Sequence, residues 1–176
     1  HRYGWYKMTD KKAKSCCFIG HREINESAEL KKNLQKLLSD LINKGVKEFV
    51  FGDHSAFNDL CYLEITELKK TYPEIQRIHF RTELPDVNEF TMQLLTIGYE
   101  KSCFPDNVYN AGKASYIKRN QAMIKYSDYC VFYFNSDYIP KRKKSTQSNS
   151  LPKNGTGQAF NYAKTLNKII YNLYTV

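Results

Sequence analysis

Apolar and polar positions along this chain switch repeatedly between two spacings. Ser15-Cys16-Cys17-Phe18-Ile19 is a short apolar run that stops at Gly20-His21-Arg22, which predicts a buried strand. Leu30, Leu34, Leu37, Leu38, Leu41 and Ile42 then recur at helical spacing with polar residues between them. Asn25 or Ser27 offers a cap to that helix, and Gly45 closes it. Lys47 to Phe51 predicts a second strand, ending at Gly52. A helix follows from Ala56 to Tyr72 and stops at Pro73, which has no amide donor and disfavours helical geometry just before it. Ile75 to Phe80 predicts a third strand.

Residues 81–114 carry a weaker pattern. Val87 to Ile97 has helical spacing, with Phe90, Leu94, Leu95 and Ile97 as candidate buried positions between Pro85 and Pro105. An insertion of this length suits a cover over a binding edge or a dimer contact. Beyond it the pattern is clear again. Ser115 to Tyr126 predicts a helix, Tyr129 to Phe134 a strand, Thr156 to Leu166 a helix and Lys168 to Tyr174 a last strand. Residues 135–153 have no apolar period and contain Lys141-Arg142-Lys143-Lys144, which reads as a solvated basic loop. Strands and helices joined in this order, by short connections, predict an α/β domain. The expected form is a three-layer, Rossmann-like, doubly wound and mainly parallel sheet of about five strands, with helices on both faces. The domain is expected to span 15–176, with 1–14 as an N-terminal extension.

Composition narrows the class. A chain of 176 residues with 41% hydrophobic and 14% aromatic content can bury a core of its own. No apolar run approaches the ~18 residues of a membrane span, and no signal peptide is visible, so no membrane partner is expected. The five cysteines are odd in number and lack a C-x-x-C spacing, which points to reduced core thiols, a cytoplasmic protein and no metal site. The net charge of +9 is unevenly placed. Residues 1–100 hold 15 Lys and Arg against 15 Asp and Glu, whereas 101–176 hold 12 against 3. The positive half suits a small anionic partner, and by charge alone it would also suit nucleic acid.

Candidate chemistry gathers where strands end. Ligands of an open parallel sheet sit at the carboxyl ends of its strands, near the point where strand order reverses. The polar interruptions Gly20-His21-Arg22, Gly52-Asp53-His54-Ser55, Asn135-Ser136-Asp137 and Gly155-Thr156-Gly157 fall at such positions. Glycines admit close approach of a phosphate to backbone, and a helix start adds partial positive charge. Arg22 and Arg119 suit bidentate contacts to phosphate. Asp53 or Asn120 suits ribose hydroxyls, Thr156 a further phosphate contact, and His21 a base or phosphate. Tyr126, Tyr129 and Tyr133 read as core or interface residues rather than base platforms.

These segments resemble a known family. Cys17-Phe18-Ile19-Gly20-His21-Arg22 is similar to the F-x-G-H-R opening of the YpsA/YoqJ-like branch of the SLOG superfamily, a Rossmann-like group that includes the LOG and DprA/Smf proteins. Phe51 to Leu60 resembles its G-G-x-x-G-F-D-x-L segment. Arg119-Asn120 with Met123 and Ser127-Asp128 resembles R-N-x-x-M-(V/I)-x-x-S-D, and Gly155-Thr156 with Ala159, Tyr162 and Ala163 resembles S-G-T-x-x-A-x-x-Y-A. The resemblance implies a domain, often a homodimer, that binds a nucleotide-type ligand such as AMP, ADP-ribose or an NAD-like molecule. Two positions depart from the pattern. Asp53 and Ser55 replace two glycines, and an aspartate beside phosphate is unfavourable unless it faces ribose or a cation. LOG enzymes cleave the N-glycosidic bond of nucleoside monophosphates with an arginine and a glutamate. Arg119 matches the arginine, so it is the catalytic residue if the chain is an enzyme, but the glutamate position falls on Ala159. Three functions stay open at this point. They are a sensor-like nucleotide-binding protein without LOG phosphoribohydrolase activity, a nucleotide-processing hydrolase with a relocated acid, and a nucleic-acid-binding protein related to the DprA branch.

Overall fold

The computed structural model describes residues 13–52, 54–82, 97–139 and 154–175. The strands are β1 (Lys14–Gly20), β2 (Val46–Phe51), β3 (Gln76–Phe80), β4 (Lys101–Cys103), β5 (Tyr129–Tyr133) and β6 (Ile169–Asn172). The helices are α1 (Ala28–Asn43), α2 (Ala56–Thr71), α3 (Ser115–Tyr126) and α4 (Gly155–Thr165). The strands form one sheet in the order β4-β3-β2-β1-β5-β6, and every neighbouring pair is parallel. The doubly wound α/β expectation therefore holds, with six strands instead of about five. The extra strand is β4, inside the 81–114 stretch. Three residues are too few to display an alternation. Pairing with β3, helped by the Arg81 N–H donating to Cys103 O at 2.8 Å, extends the sheet there. The helix expected over Val87 to Ile97 lies almost wholly outside the described residues. Ile97 itself sits in a turn and is exposed, not buried.

Alternation along the central strands divides the core in two. Cys16 and Phe18 of β1, Phe49 and Phe51 of β2, and Val131 of β5 face Leu30, Leu34, Leu38 and Leu41 of α1 and Phe57, Leu60 and Ile65 of α2. Cys17, Ile19, Val50, Cys130 and Phe132 point the other way, toward Ala122, Met123 and Ile124 of α3 and Ala159 and Ala163 of α4. Side chains of successive strand residues leave on opposite faces, so an unbroken apolar run supplies both layers at once. All five cysteines are buried and free. Tyr126, Tyr129 and Tyr133 are buried too, as expected of core residues.

Element ends follow local chemistry. Ser27, not Asn25, caps α1, its Oγ accepting from the Leu30 N–H at 3.0 Å. Ser55 caps α2 through the Asn58 N–H, and Asn154 caps α4 through the Gly157 N–H. The chain leaving α3 is tied to the start of β1, because Asp128 Oδ2 accepts from Ser15 N–H and Ser15 O accepts from Asp128 N–H, both at 3.0 Å. At the far edge Glu100 accepts from both the backbone N–H and the guanidinium of Arg77 and pairs with Lys69. Burial would raise the Glu100 carboxyl, but these donors hold it below its ordinary value. Among the described residues, no helix is long and apolar enough to cross a membrane.

Gly20 has a packing reason to be glycine, since a Cβ there would lie 2.4 Å from the Phe57 ring at the start of α2. Gly155 has open space around the same position. Gly20→Ala is therefore expected to cost about 1–3 kcal/mol of stability through overpacking. Gly155→Ala should stay within about 0.5 kcal/mol of the wild type. Urea unfolding midpoints of the two variants check this.

Candidate functional site

Strand order reverses between β2-β1 and β5-β6, and a cleft of about 390 Å³ opens at the carboxyl ends of β1 and β2. Its walls come from four elements and from Tyr138 in the turn after β5. The turn after β1 brings Gly20, His21 and Arg22, and Gly52 with the start of α2 brings His54, Ser55 and Asn58. One face of α3 contributes Tyr116, Arg119, Asn120 and Met123, spaced so that they share one side of the helix. The start of α4 contributes Asn154, Gly155 and Thr156. Two helix N-termini, α2 and α4, thus open onto one cleft, each adding partial positive charge. Among its described lining residues are two arginines and two histidines and no carboxylate.

Arg119 is the buried cation of this site, with 6% of its surface exposed. Its Nη2 donates to Asn120 Oδ1 at 3.2 Å, and its guanidinium carbon lies 5.5 Å from the Tyr116 ring centre. The guanidinium rests against Gly52, where a Cβ would come within 3.0 Å of Nε. Gly52 is therefore glycine in order to leave room for Arg119. The Gly52 N–H is already occupied, donating to Asn58 Oδ1 at 3.2 Å, while Asn58 Nδ2 donates to Phe18 O at 3.1 Å. Asn58 is a cross-brace between the ends of β1 and β2, and it holds the cleft floor.

His21 has a structural role beside the base or phosphate contact considered above. It lines the cleft, yet it is 2% exposed, and its Nε2 accepts the Asn135 N–H at 2.8 Å. That bond needs a lone pair on Nε2, so the neutral tautomer carries its proton on Nδ1. Tyr138 stacks on the imidazole with ring centres 4.0 Å apart. His21 therefore ties the end of β1 to the turn after β5. Arg22 lines the cleft and is exposed, and its carbonyl accepts the Ala56 N–H at 2.9 Å, holding the first turn to the start of α2.

The structure brings together Gly20, His21, Arg22, Gly52, Arg119, Asn120, Gly155 and Thr156. Asn135 and Gly157 stand outside the lining. Asn135 donates its backbone N–H to His21 and accepts from the Asp137 N–H. Gly157 donates to the Asn154 cap and packs against Phe134, which a Cβ would approach to 3.2 Å. Asp53 and Lys141 to Lys144 lie outside the described residues. Ala159 is buried in the core against the sheet and does not line the cleft. His54 and Ser55, from a segment expected at the site, line it too, and Asn58, Tyr116 and Tyr138 are lining residues to which the sequence reading gave no part in the site. Tyr116 was findable, because it lies one helical turn before Arg119. Tyr138 was not, because only the fold returns it to His21. Among the described residues, no three His, Cys, Asp or Glu side chains come together in a way that would hold a metal ion.

Burial lowers the His21 pKa from its ordinary value of 6.5. The unfolded chain then takes up this proton before the folded one, so acid favours unfolding. The contribution of neutral His21 is complete above pH 6.5 and is lost as pH falls through the lowered folded value. His21→Gln keeps an acceptor for Asn135 but cannot titrate. Its stability should fall less between pH 6.5 and acid than that of the wild type, as measured by urea midpoints at a series of pH values.

Set against known families, the chain matches no family model, and it matches no curated protein.

Proposed function

We propose that this chain binds a small anionic nucleotide in the cleft, in a sensor-like role, and does not carry out the LOG phosphoribohydrolase reaction. The observation that carries the reading is the convergence of the buried Arg119 with the N-termini of α2 and α4 at the point where strand order reverses. Exposed Arg22 adds a second cation. The cleft volume falls within the roughly 300–1,000 Å³ of small-molecule sites. The motif resemblance to the SLOG superfamily supports the same ligand class, namely AMP, ADP-ribose or an NAD-like molecule. The homodimer and the cytoplasmic setting implied by resemblance and cysteine usage belong to this proposal, and light scattering at working concentration tests the dimer.

The enzyme reading is disfavoured by the position of Ala159. N-glycosidic cleavage needs an acid or a stabilising carboxylate near the sugar, and loss of such a group typically costs ~10²–10⁴-fold in rate. Ala159 packs into the core, so its surroundings are built for a methyl group rather than a carboxylate. Asp53 or another acid would have to substitute. Incubation with AMP and with NAD is expected to release no free base above the uncatalysed rate. Release abolished by Asp53→Ala would establish the hydrolase instead.

Calorimetry with AMP, ADP-ribose, NAD and cyclic nucleotides tests binding. Arg119→Ala is expected to weaken the best of these roughly 10- to 100-fold, the range for hydrogen bonds to a charged group. Gly52→Ala should also weaken binding, because the new methyl would press the guanidinium aside by a few tenths of an ångström. A folded wild type that binds none of the panel would sink the proposal.

A further inference from the structure

Tyr116 is a large aromatic side chain left 51% exposed beside a cleft, whereas Tyr126, Tyr129 and Tyr133 on the neighbouring elements are at most 8% exposed. An exposed aromatic at a concave site calls for an explanation that a scattered surface residue does not. Its ring lies against the Arg119 guanidinium, 5.5 Å from ring centre to guanidinium carbon, and Arg119 is buried beneath Gly52. The cation steadies the phenol ring through attraction to its π-face. Both side chains line the same cleft. A flat platform is thus coupled to the cation that serves the anionic end.

Resting on the anion-binding reading above, we infer that Tyr116 is the platform on which the base of the ligand stacks. The ligand class is then a nucleoside phosphate with an aromatic base, as opposed to a sugar phosphate or inorganic anion. Every base has a π-face, so such a platform favours nucleotides over base-free phosphates while discriminating weakly among bases. Tyr138 is the other tyrosine in the cleft wall, but one face of its ring is occupied by His21, with centres 4.0 Å apart, in a contact that ties two strand ends together. Tyr138 is half-buried by that contact, whereas Tyr116 stays 51% exposed beside its own contact with Arg119.

The experiment is calorimetry of the full chain with AMP, UMP, ribose 5-phosphate and inorganic phosphate. The wild type is expected to bind AMP and UMP roughly tenfold or more tightly than ribose 5-phosphate, from the usual gain of one stacked base. Tyr116→Ala should bring both nucleotides down to the ribose 5-phosphate affinity and leave ribose 5-phosphate unchanged. Tyr116→Phe should keep the nucleotide preference. Because Tyr116 is half exposed, the Tyr116→Ala unfolding midpoint should match the wild type, and that measurement separates misfolding from lost stacking. The inference is overturned if Tyr116→Ala weakens nucleotides and ribose 5-phosphate equally, which would make the ring a support for Arg119. It is also overturned if nucleotide affinity is unchanged, or if Tyr138→Ala and not Tyr116→Ala removes the preference. Tight binding of ribose 5-phosphate without any nucleotide preference defeats the stacking but leaves the anion site standing. Absence of binding by all four probes defeats both.

Discussion

The handedness of parallel crossovers is the constraint on which the rest of this structure depends. A strand that feeds a helix and returns parallel to itself does so in one hand only. Winding from β1 toward β4 therefore puts α1 and α2 on one face, and winding from β5 toward β6 puts α4 on the other. The two directions separate at β1 and β5. Among the described residues, the crevice at the carboxyl ends of these strands opens between the starts of α2 and α4. The cleft is a consequence of the winding, and the side chains found there had only to occupy it.

What lines the cleft is held by close approaches more than by long side chains reaching inward. Gly20 lets the Phe57 ring lie against the end of β1, and Gly52 lets the Arg119 guanidinium lie against the end of β2. Asn58 spends both ends of its amide joining those two strand ends, and His21 spends one ring nitrogen joining β1 to the turn after β5. Such contacts fix backbone and side chains before any ligand arrives, and a preorganised site loses less entropy on binding. They also limit the donors available. The Gly52 N–H is committed to Asn58 and the Nε2 of His21 is an acceptor, so an anion would be met by Arg119, Arg22 and the helix starts. Among the described residues, no carboxylate lines the cleft, although Asp59 sits 3.0 Å from the lining His54. Ala159 belongs to the core, and Glu48 is buried with its Oε2 accepting from the Tyr126 hydroxyl at 2.7 Å, on a strand whose other end forms the cleft.

Most of the framework was legible in one dimension, because it follows from near-neighbour chemistry. Helical spacing from Leu30 to Leu41, apolar runs at 15–19 and 129–134, and Pro73 each act within a few residues, and each element formed near its expected place. The location of the cleft was legible too, since parallel winding dictates which strand ends meet, and eight of the residues expected there line it together. Three-residue β4 was hidden because it depends on the edge of β3 for its hydrogen bonds rather than on any pattern of its own. Tertiary structure alone decided what the polar residues do. It set His21 in a buried brace, turned Asn135 and Gly157 away from the cavity, and brought Tyr138 from beyond β5 back to β1. It also made Gly52 a seat for Arg119. Those roles depend on contacts between residues far apart in the chain, and local spacing holds no record of such contacts.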